Sequence, residues 1–337
     1  MSGAQGLGEQ RPVFIVVGCG NIGSRHLQAL AALERPSLVY GLEPDPQAQA
    51  LARSRFHEVS PEGGRHELRI SADWADLPAE AGVAVVATGA APRRMLTERL
   101  LGQVRLEGLL LEKFLFQKHA DYEAVGSLLE RLALPAFVNT PRRAWPGYHR
   151  LKAMLEGRGP LSVHVQTGAR NGLASNAIHF LDLAAYLAGA PEGFELSGAQ
   201  LTPVAGVSRH AGQAEFTGVL SGFSAKGDHF SHRSRLDSVE RHVIWIEARD
   251  LRMVVDELAG VVRIASAGEG WVWREEPFEL IQQSRLTNRF AETLLAGGEI
   301  HLPSYAESSR LHRQCLSAFL VAMGEDPRAP EILCPVS

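Results

Sequence analysis

Three glycines near the amino terminus have the spacing of a phosphate-binding turn. Gly18, Gly20 and Gly23 lie between the apolar run Val13–Val17 and a segment whose apolar residues recur at helical spacing. In such a turn the first glycine allows a tight bend, the second lets a pyrophosphate approach the backbone, and the third lets the helix pack closely on the strand. The unpaired N–H groups and the positive dipole end of the helix then face the phosphates. The motif therefore predicts a dinucleotide site.

A carboxylate follows the second strand at the place where a ribose would bind. Glu43 stands 20 positions after Gly23, directly behind the apolar run Leu38–Leu42. A carboxylate there accepts hydrogen bonds from a ribose diol and repels a 2′-phosphate. Because no Arg or Lys adjoins Glu43, the sequence predicts NAD and makes NADP the less favoured cofactor. Asp45 is an alternative ribose ligand, unless it caps the following helix.

A cation directly follows the fifth predicted strand. In a parallel sheet covered by helices, ligands bind beyond the carboxyl ends of the strands. Lys113 stands at such an end, while the neighbouring Glu112 points to the opposite face of the strand. A cation beside a buried strand costs desolvation free energy unless an anion or a polar group meets it. We therefore predict that Lys113 belongs to a functional site.

Strands and helices alternate through the first half of the chain, and this alternation predicts a doubly wound parallel sheet, a Rossmann domain over residues 1–141. The predicted strands are Val13–Val17, Leu38–Leu42, His66–Ile70, Val83–Ala87, Gly108–Glu112 and Ala136–Asn139. The predicted helices are Ile22–Leu33, Pro46–Phe56, Arg93–Leu101 and Ala120–Leu134.

The second half is rich in strands and predicts an α+β domain over residues 142–337, with an open, mainly antiparallel sheet. The predicted strands are Leu161–Thr167, Glu195–Thr202, Glu215–Ser224, His242–Ala248, Leu251–Val255, Val261–Ala265 and Gly270–Glu275. The predicted helices are Gly147–Glu156, Asn176–Leu187 and Tyr305–Met323. Gly168–Asn176 is predicted to be a loop, with Ser175 as the N-cap of the helix that follows.

Several segments together resemble the glucose-fructose oxidoreductase / inositol dehydrogenase family, also called Gfo/Idh/MocA. They are the GxGxxGxRH-like opening Val16–His26, Ala87-Thr88, Glu112-Lys113-Phe114, Asn139 with Arg142-Arg143, and the last helix, Tyr305–Leu320. The resemblance covers nearly the whole chain. It implies an NAD(H)-dependent oxidoreductase that moves a hydride to or from a carbinol carbon of a sugar, polyol or nucleotide sugar. It also implies a homo-oligomer formed through the C-terminal sheet.

The resemblance implies roles for particular residues of this chain. His179 would accept the hydroxyl proton, Lys113 would hold the same oxygen, and Asp182 would either orient His179 or anchor the backbone. Arg143 and Asn176 would contact the substrate. The implied cofactor-binding residues are Gly18, Gly20, Asn21, Ile22, Gly23, Arg25, Glu43, Thr88 and Glu112.

Two positions depart from the family pattern. Phe114 replaces the usual proline, and a cis bond before a residue other than proline costs about 2.5–4 kcal/mol. We therefore predict that Lys113 is carried by a trans bond or by a slightly different loop. Ser175 stands four residues before His179, where the family often has an aspartate. This departure leaves two rival hypotheses open: a non-catalytic NAD-binding regulator on the same fold, and a reductase of a non-sugar substrate such as an imine or a tetrapyrrole.

Composition excludes several other classes of function. The 337 residues carry a net charge of −4, which gives no electrostatic case for nucleic acid binding. No apolar run is long enough to span a membrane, and residues 1–10 lack the pattern of a signal peptide. Three scattered cysteines indicate a reducing setting, so we predict a cytoplasmic protein.

A cluster of histidines in the second half invites a metal hypothesis. His229, His232 and His242 could in principle bind zinc, yet their segment is rich in Ser and Arg and reads as a strand edge and loop. We therefore predict no metal site, and we expect the basic stretch His232–Arg235 to form a solvated rim.

Overall fold

The computed structural model describes residues 11–168, 172–204, 212–235, 237–238 and 241–337. Within these, the chain forms two units, each assembled from separate stretches. Unit 1 consists of Met1–Thr88, Arg99–Leu110 and Gln282–Ile300, as far as they are described. Unit 2 consists of Gly89–Glu98, Leu111–Ile281 and His301–Ser337, again as far as described.

The first sheet has six strands in the order β3-β2-β1-β4-β5-β6. β1 pairs in parallel with β2 and with β4, so the strand order reverses beside β1. The predicted doubly wound sheet is confirmed. Its strands are β1 (Val13–Val17), β2 (Leu38–Leu42), β3 (Glu67–Ser71), β4 (Glu80–Val86), β5 (Arg105–Leu111) and β6 (Ala136–Val138). The accompanying helices are α1 (Asn21–Leu30), α2 (Pro46–His57), α3 (Ala90–Gln103) and α4 (His119–Arg131).

The second sheet has eight strands in the order β14-β13-β12-β11-β7-β10-β9-β8. Its pairings are antiparallel apart from that of β7 with β10, which confirms the predicted, mainly antiparallel sheet. The strands are β7 (Ser162–Gly168), β8 (Glu195–Val204), β9 (Glu215–Phe223), β10 (His229–Arg235), β11 (Val243–Ala248), β12 (Leu251–Asp256), β13 (Val261–Ser266) and β14 (Arg274–Pro277).

Four more helices complete the described fold: α5 (Pro146–Leu155), α6 (Leu173–Ala188), α7 (Thr287–Leu295) and α8 (Tyr305–Met323). α8 has the predicted bounds and begins with a capping box between Ser304 and Glu307. α6 ends, as predicted, at Gly189, whose φ of +61° is the left-handed conformation that glycine adopts without strain. None of the helices in the described ranges is long and apolar enough to cross a membrane.

The sequence analysis missed two elements. α7 was not predicted. It belongs to unit 1, and its last residue, Leu295, packs closely on Gly82 of β4, where an added Cβ would lie 2.7 Å from the leucine side chain. β10 was also missed, because its sequence contains few apolar residues. The expected solvated rim at His232–Arg235 is confirmed only for Arg233 and Arg235, which are exposed. His232 and Ser234 are buried, because β10 is an interior strand between β7 and β9. The boundary predicted at residue 141 and the oligomer predicted through the second sheet stay predictions.

The buried histidines predict a loss of stability in mild acid. Burial lowers the pKa of His232 and of His312 from 6.5 to about 3. Below pH 6.5 the unfolded chain therefore binds protons that the folded chain does not, so stability falls as the pH falls. Each histidine should cost about 2 kcal/mol between about pH 7 and about pH 5. Urea unfolding of His232→Gln should show that much less pH dependence than the wild type.

The control for this prediction is His301→Gln, since His301 is exposed. The control should keep the pH dependence of the wild-type protein. An identical acid loss in His232→Gln and in the wild type would contradict the assignment of this effect to His232.

Candidate active site

The turn after β1 requires glycine at two of its three motif positions. Gly18 has a φ of +83°, a backbone conformation that residues other than glycine adopt only with strain. A Cβ at Gly23 would lie 1.8 Å from the carbonyl oxygen of Gly18, so the helix can approach the strand this closely only without a side chain. These are the roles that the motif predicts for its first and third glycines.

The start of α1 leaves room and donors for an anion. Gly20 is the N-cap residue, and no side chain among the described residues caps the helix there. A Cβ added to Gly20 would meet nothing within 4 Å, so its backbone faces open space. Asn21 and Ile22 follow on the exposed side. Since the first N–H groups of a helix have no partner inside the helix, the turn fits a phosphate.

Glu43 is nearly buried just after β2, and its carboxylate accepts hydrogen bonds from two backbone N–H groups. Its carboxylate accepts the N–H of Cys19 at 2.7 Å and that of Asp45 at 3.0 Å. A carboxylate offers about four acceptor positions, so capacity remains for a ribose diol. Asp45 caps α2 by accepting the N–H of Gln47 at 2.9 Å. Of the two roles considered for Asp45, ribose ligand and helix cap, this contact is that of the cap.

Arg55 is a cation beside the glycine turn that the sequence analysis missed. It lies on α2 and donates to the backbone oxygen of Asn21 at 2.8 Å and to Ser24 Oγ at 2.6 Å. A guanidinium at the first turn of α1 would add to the attraction of a phosphate. Arg25, which the family resemblance implied, donates instead to Gln28 along its own helix at 2.7 Å.

The other implied cofactor residues lie at the ends of strands. Thr88 follows β4 and packs against the turn, because a Cβ at Gly18 would lie 2.8 Å from its methyl carbon. In unit 2, Glu112 follows β5, is buried, and accepts a hydrogen bond from the side-chain amide of Asn139. Asn139 in turn follows β6, so two adjacent strand ends are tied together.

The bond between Lys113 and Phe114 is cis, so the predicted trans bond is wrong. The prediction considered only the local cost of the cis form and none of the contacts made in the fold. Phe114 is fully buried against the rings of His312 and Phe319. Its carbonyl oxygen also accepts a hydrogen bond from the buried Arg93.

The helix that carries His179 begins earlier than predicted. Its first residue is Leu173 and its N-cap is Gly172, so the expectation that Ser175 caps it is wrong. Part of the predicted loop, residues 169–171, lies outside the described residues. The earlier start has a tertiary cause: the carboxylate of Glu215, on β9, accepts the N–H groups of Ala174 and Ser175 at 2.8 and 3.2 Å.

Lys113 contacts the first turn of α6, the helix that carries His179. Lys113 Nζ donates to the carbonyl oxygen of Ser175 at 2.9 Å. In an α-helix the same carbonyl accepts the N–H four residues later, which is that of His179. Burial and then the charge of Lys113 hold the pKa of His179 well below its usual range. The imidazole is therefore neutral at neutral pH, and its buried Nδ1 has no hydrogen-bond partner among the described residues.

Asp182 and Arg143 form a separate ion pair. Asp182 is fully buried and is held by Arg143 through contacts of 2.9 and 2.7 Å. Arg143 also lies 3.6 Å from Glu307. The structure thus pairs Asp182 with Arg143, and among the described contacts none joins it to His179. Asn176, the other implied substrate contact, donates its side-chain amide to the carbonyl oxygen of Gly172 at 3.0 Å.

Arg142, beside Arg143, is committed to a second buried pair. Its guanidinium binds both carboxylate oxygens of Glu257 at 2.7 Å and lies over the ring of Phe180. Arg142 contributes to the low pKa of His179, since a nearby positive charge disfavours protonation. Sequence spacing could not reveal this pair, because 115 positions separate its members.

The three histidines considered for zinc have different partners. His229 packs against the ring of His164, His232 contacts the hydroxyl of Thr167 at 3.0 Å, and His242 binds Glu257 at 2.8 Å. Among the described residues, no group of three His, Cys, Asp or Glu side chains could hold a metal ion.

Comparison with known proteins finds similarity in structure alone. No protein family and no curated protein matches the sequence. Among solved structures, UDP-N-acetylglucosamine 3-dehydrogenase GnnA from Acidithiobacillus ferrooxidans is 19% identical, with a TM-score of 0.71 over 93% of this chain and 98% of that one. An oxidoreductase from Agrobacterium radiobacter in complex with NAD+, L-tartaric acid and magnesium is 15% identical, with a TM-score of 0.70 over 93% and 97%.

A third neighbour is named for a different role. The super-repressor mutant of Gal80p from Saccharomyces cerevisiae is 11% identical, with a TM-score of 0.69 over 94% of this chain and 97% of that one. These neighbours share the fold of this chain over more than nine-tenths of its length, so the fold that the resemblance implied is confirmed. At identities this low, the likeness establishes the fold and leaves the activity to be argued from the site.

Proposed function

We propose that this protein is an NAD(H)-dependent oxidoreductase that transfers a hydride to or from a carbinol carbon of a sugar, polyol or nucleotide sugar. In this proposal, the turn around Gly18 and the carboxylate of Glu43 bind the cofactor. Lys113 and His179 are the groups that handle the hydroxyl proton. NAD, when bound, supplies the hydride acceptor, and NADH supplies the donor.

The observation that carries this proposal is the chemical state of His179. A neutral imidazole with an unpartnered, buried ring nitrogen lies one helical turn from the carbonyl that holds the ammonium of Lys113. A hydroxyl group that loses a hydride must also lose its proton, and a neutral imidazole can accept that proton. A nearby ammonium stabilises the negative charge that develops on the same oxygen. The pair thus has the two functions that carbinol oxidation needs.

The buried ion pairs support a scaffolding role for the remaining polar residues. The carboxylate of Asp182 is engaged by Arg143, so we propose that it fixes α6 in place rather than exchanging protons. Removing one partner of a buried pair leaves an uncompensated buried charge and strongly destabilises the fold. The substrate contacts implied for Arg143 and Asn176 remain proposals.

Glu43 should determine the choice of cofactor. Glu43→Ala should weaken NAD binding and lower the preference for NAD over NADP by about 10- to 100-fold, because hydrogen bonds to a charged group contribute about 1.5–3 kcal/mol. Calorimetric titration with each cofactor measures this preference. The exposed Glu62→Ala is the matched control and should bind like the wild type. An unchanged preference in Glu43→Ala would contradict the role, and would mean that Asp45, or no residue at that strand end, contacts the ribose.

A turnover panel tests the proposed function. The purified protein is first analysed by mass spectrometry for retained cofactor, and is then assayed with sugars, polyols and nucleotide sugars in both directions. We expect at least one compound to change the nicotinamide absorbance. If NAD binds and the whole panel is silent, the proposed oxidation of a carbinol carbon is contradicted. An imine and a tetrapyrrole are assayed as separate arms, and turnover of either would keep the enzyme and replace the substrate class.

A second candidate function is a regulator that binds the cofactor without turnover. Ser175 occupies the place where the resembled family often has an aspartate, and one structural neighbour is named as a repressor. The retention of both Lys113 and His179 favours the enzyme, because a regulator would have no use for a proton acceptor beside a cation.

A further inference from the structure

Glu215 reaches across from β9 to the start of α6. It is only 5% exposed, although it carries a carboxylate. Its oxygens accept the N–H groups of Ala174 and Ser175 at 2.8 and 3.2 Å, and the hydroxyl of Ser175 donates to it as well. A Cβ at Gly172 would lie 2.1 Å from the same carboxylate, so Glu215 can approach this closely only because the N-cap residue is glycine. The strand thereby supplies the helix cap.

Ser175 connects this carboxylate to the proposed proton-handling pair. Its N–H and hydroxyl face Glu215, while its carbonyl oxygen accepts the ammonium of Lys113 at 2.9 Å. His179 begins the next turn of the same helix. Ser175 therefore places both an acceptor of the Lys113 ammonium and the backbone that precedes His179.

We propose that Glu215 is a positioning residue, which holds the first turn of α6 so that the carbonyl of Ser175 can orient the Lys113 ammonium. Its catalytic relevance rests on the proposed function of Lys113, whereas the positioning itself does not. Glu215 acts through Ser175 and is not proposed to touch substrate or cofactor.

The physical basis is the cost of an uncapped helix start. The first N–H groups of a helix lack internal partners, and a carboxylate there satisfies them and interacts favourably with the helix dipole. Without the carboxylate, the turn that contains Ser175 would fray. The Ser175 carbonyl would then move away from Lys113 Nζ, and the ammonium would lose this hydrogen bond.

The first test combines hydrogen exchange with lysine labelling and needs no substrate. In Glu215→Gln, amide exchange at the start of α6 should become about fivefold faster, the effect expected for loss of a helix cap. Acetylation of Lys113 by acetic anhydride, measured by mass spectrometry against Lys118 as the internal reference, should accelerate by a similar factor. Glu195→Gln, which alters an exposed glutamate at the start of β8, should change neither rate.

A relocation experiment tests the carboxylate itself. Ser175→Asp alone should place two carboxylates in contact and accelerate Lys113 labelling, because like charges repel. Ser175→Asp combined with Glu215→Ser should return the labelling rate toward that of the wild type, since one carboxylate again lies at the helix start. Ser175→Ala, which removes only the hydroxyl contact, should accelerate labelling less than Glu215→Gln does.

These outcomes separate the positioning role from a purely structural cap and from the proposed function. Faster exchange in α6 with unchanged labelling of Lys113 would overturn the proposal, and so would a double variant no better than Ser175→Asp. Thermal melting of each variant checks that the labelled protein is folded. A turnover panel without activity would contradict the proposed function. The rates of amide exchange in α6 and of Lys113 acetylation would still test the positioning role of Glu215.

Discussion

Replacing Lys113 by alanine is expected to lower turnover by about 10²- to 10³-fold, the effect of removing one group that stabilises developing negative charge. NAD affinity should stay within a few fold of the wild type, because no proposed contact of the cofactor-binding turn involves this side chain. Calorimetry with NAD and steady-state assays with the active compound of the panel measure the two quantities separately.

Lys118→Ala is the matched control for this substitution. Lys118 lies five positions further along the chain, is partly exposed, and forms a surface ion pair with Glu331 at 3.4 Å. An exposed pair of this kind contributes little, so turnover should not change. Equal turnover of the wild type and Lys113→Ala would remove the lysine from the mechanism.

Replacing His179 by asparagine is expected to lower turnover by about 10²- to 10⁴-fold, since a positioned acid or base contributes that much. The pH dependence of the oxidation rate is a second expected result. The pKa of His179 lies well below its usual range, so the imidazole is already neutral at neutral pH. The rate of oxidation should therefore stay level as the pH falls toward 6.5, and should decline only when His179 becomes protonated at lower pH.

The exposed His301→Asn is the control for this profile and should keep its shape. His179→Asn should lose the decline in acid together with most of the rate. A decline centred at or above pH 6.5 in the wild-type protein would contradict the assignment, because an imidazole with a lowered pKa cannot titrate there.

The cofactor-binding turn could be predicted from the sequence because its constraints are local. Gly18 needs a positive φ, and Gly23 needs the absence of a side chain, and both needs arise within one turn between a strand and a helix. Most strands of the first sheet contain an apolar run, such as VFIVV in β1, which explains why their positions were predicted within a few residues. β10 was missed for the opposite reason, since it contains polar residues that are satisfied by neighbouring strands.

The contacts that complete the candidate site could not be predicted, because they join distant positions. Glu215 lies 40 positions after Ser175, and no helical or strand spacing connects them. Arg55 reaches Asn21 from the next helix, and Asp182 meets Arg143 across 39 positions. Asp182 follows His179 by three positions on α6, yet packing pairs the aspartate with Arg143.

Ser175 stands where the resembled family often has an aspartate, and the contact of Ser175 with Glu215 changes how this difference is interpreted. From the sequence, Ser175 marks the loss of an acidic group and favours the regulator hypothesis. In the fold, a carboxylate from β9 contacts the same serine, so the start of α6 still carries a negative charge. The serine is therefore weaker evidence against catalysis than its sequence context indicates.

The central claim is that a hydride moves between a carbinol carbon and NAD on this protein. Incubation with sugars, polyols and nucleotide sugars deuterated at their carbinol carbons, followed by mass spectrometry of the nicotinamide product, tests it directly. The account expects NADH that carries one deuterium from at least one compound, and much less of it from Lys113→Ala and His179→Asn. NAD that binds and remains unreduced with every compound, or NADH without deuterium, would contradict it.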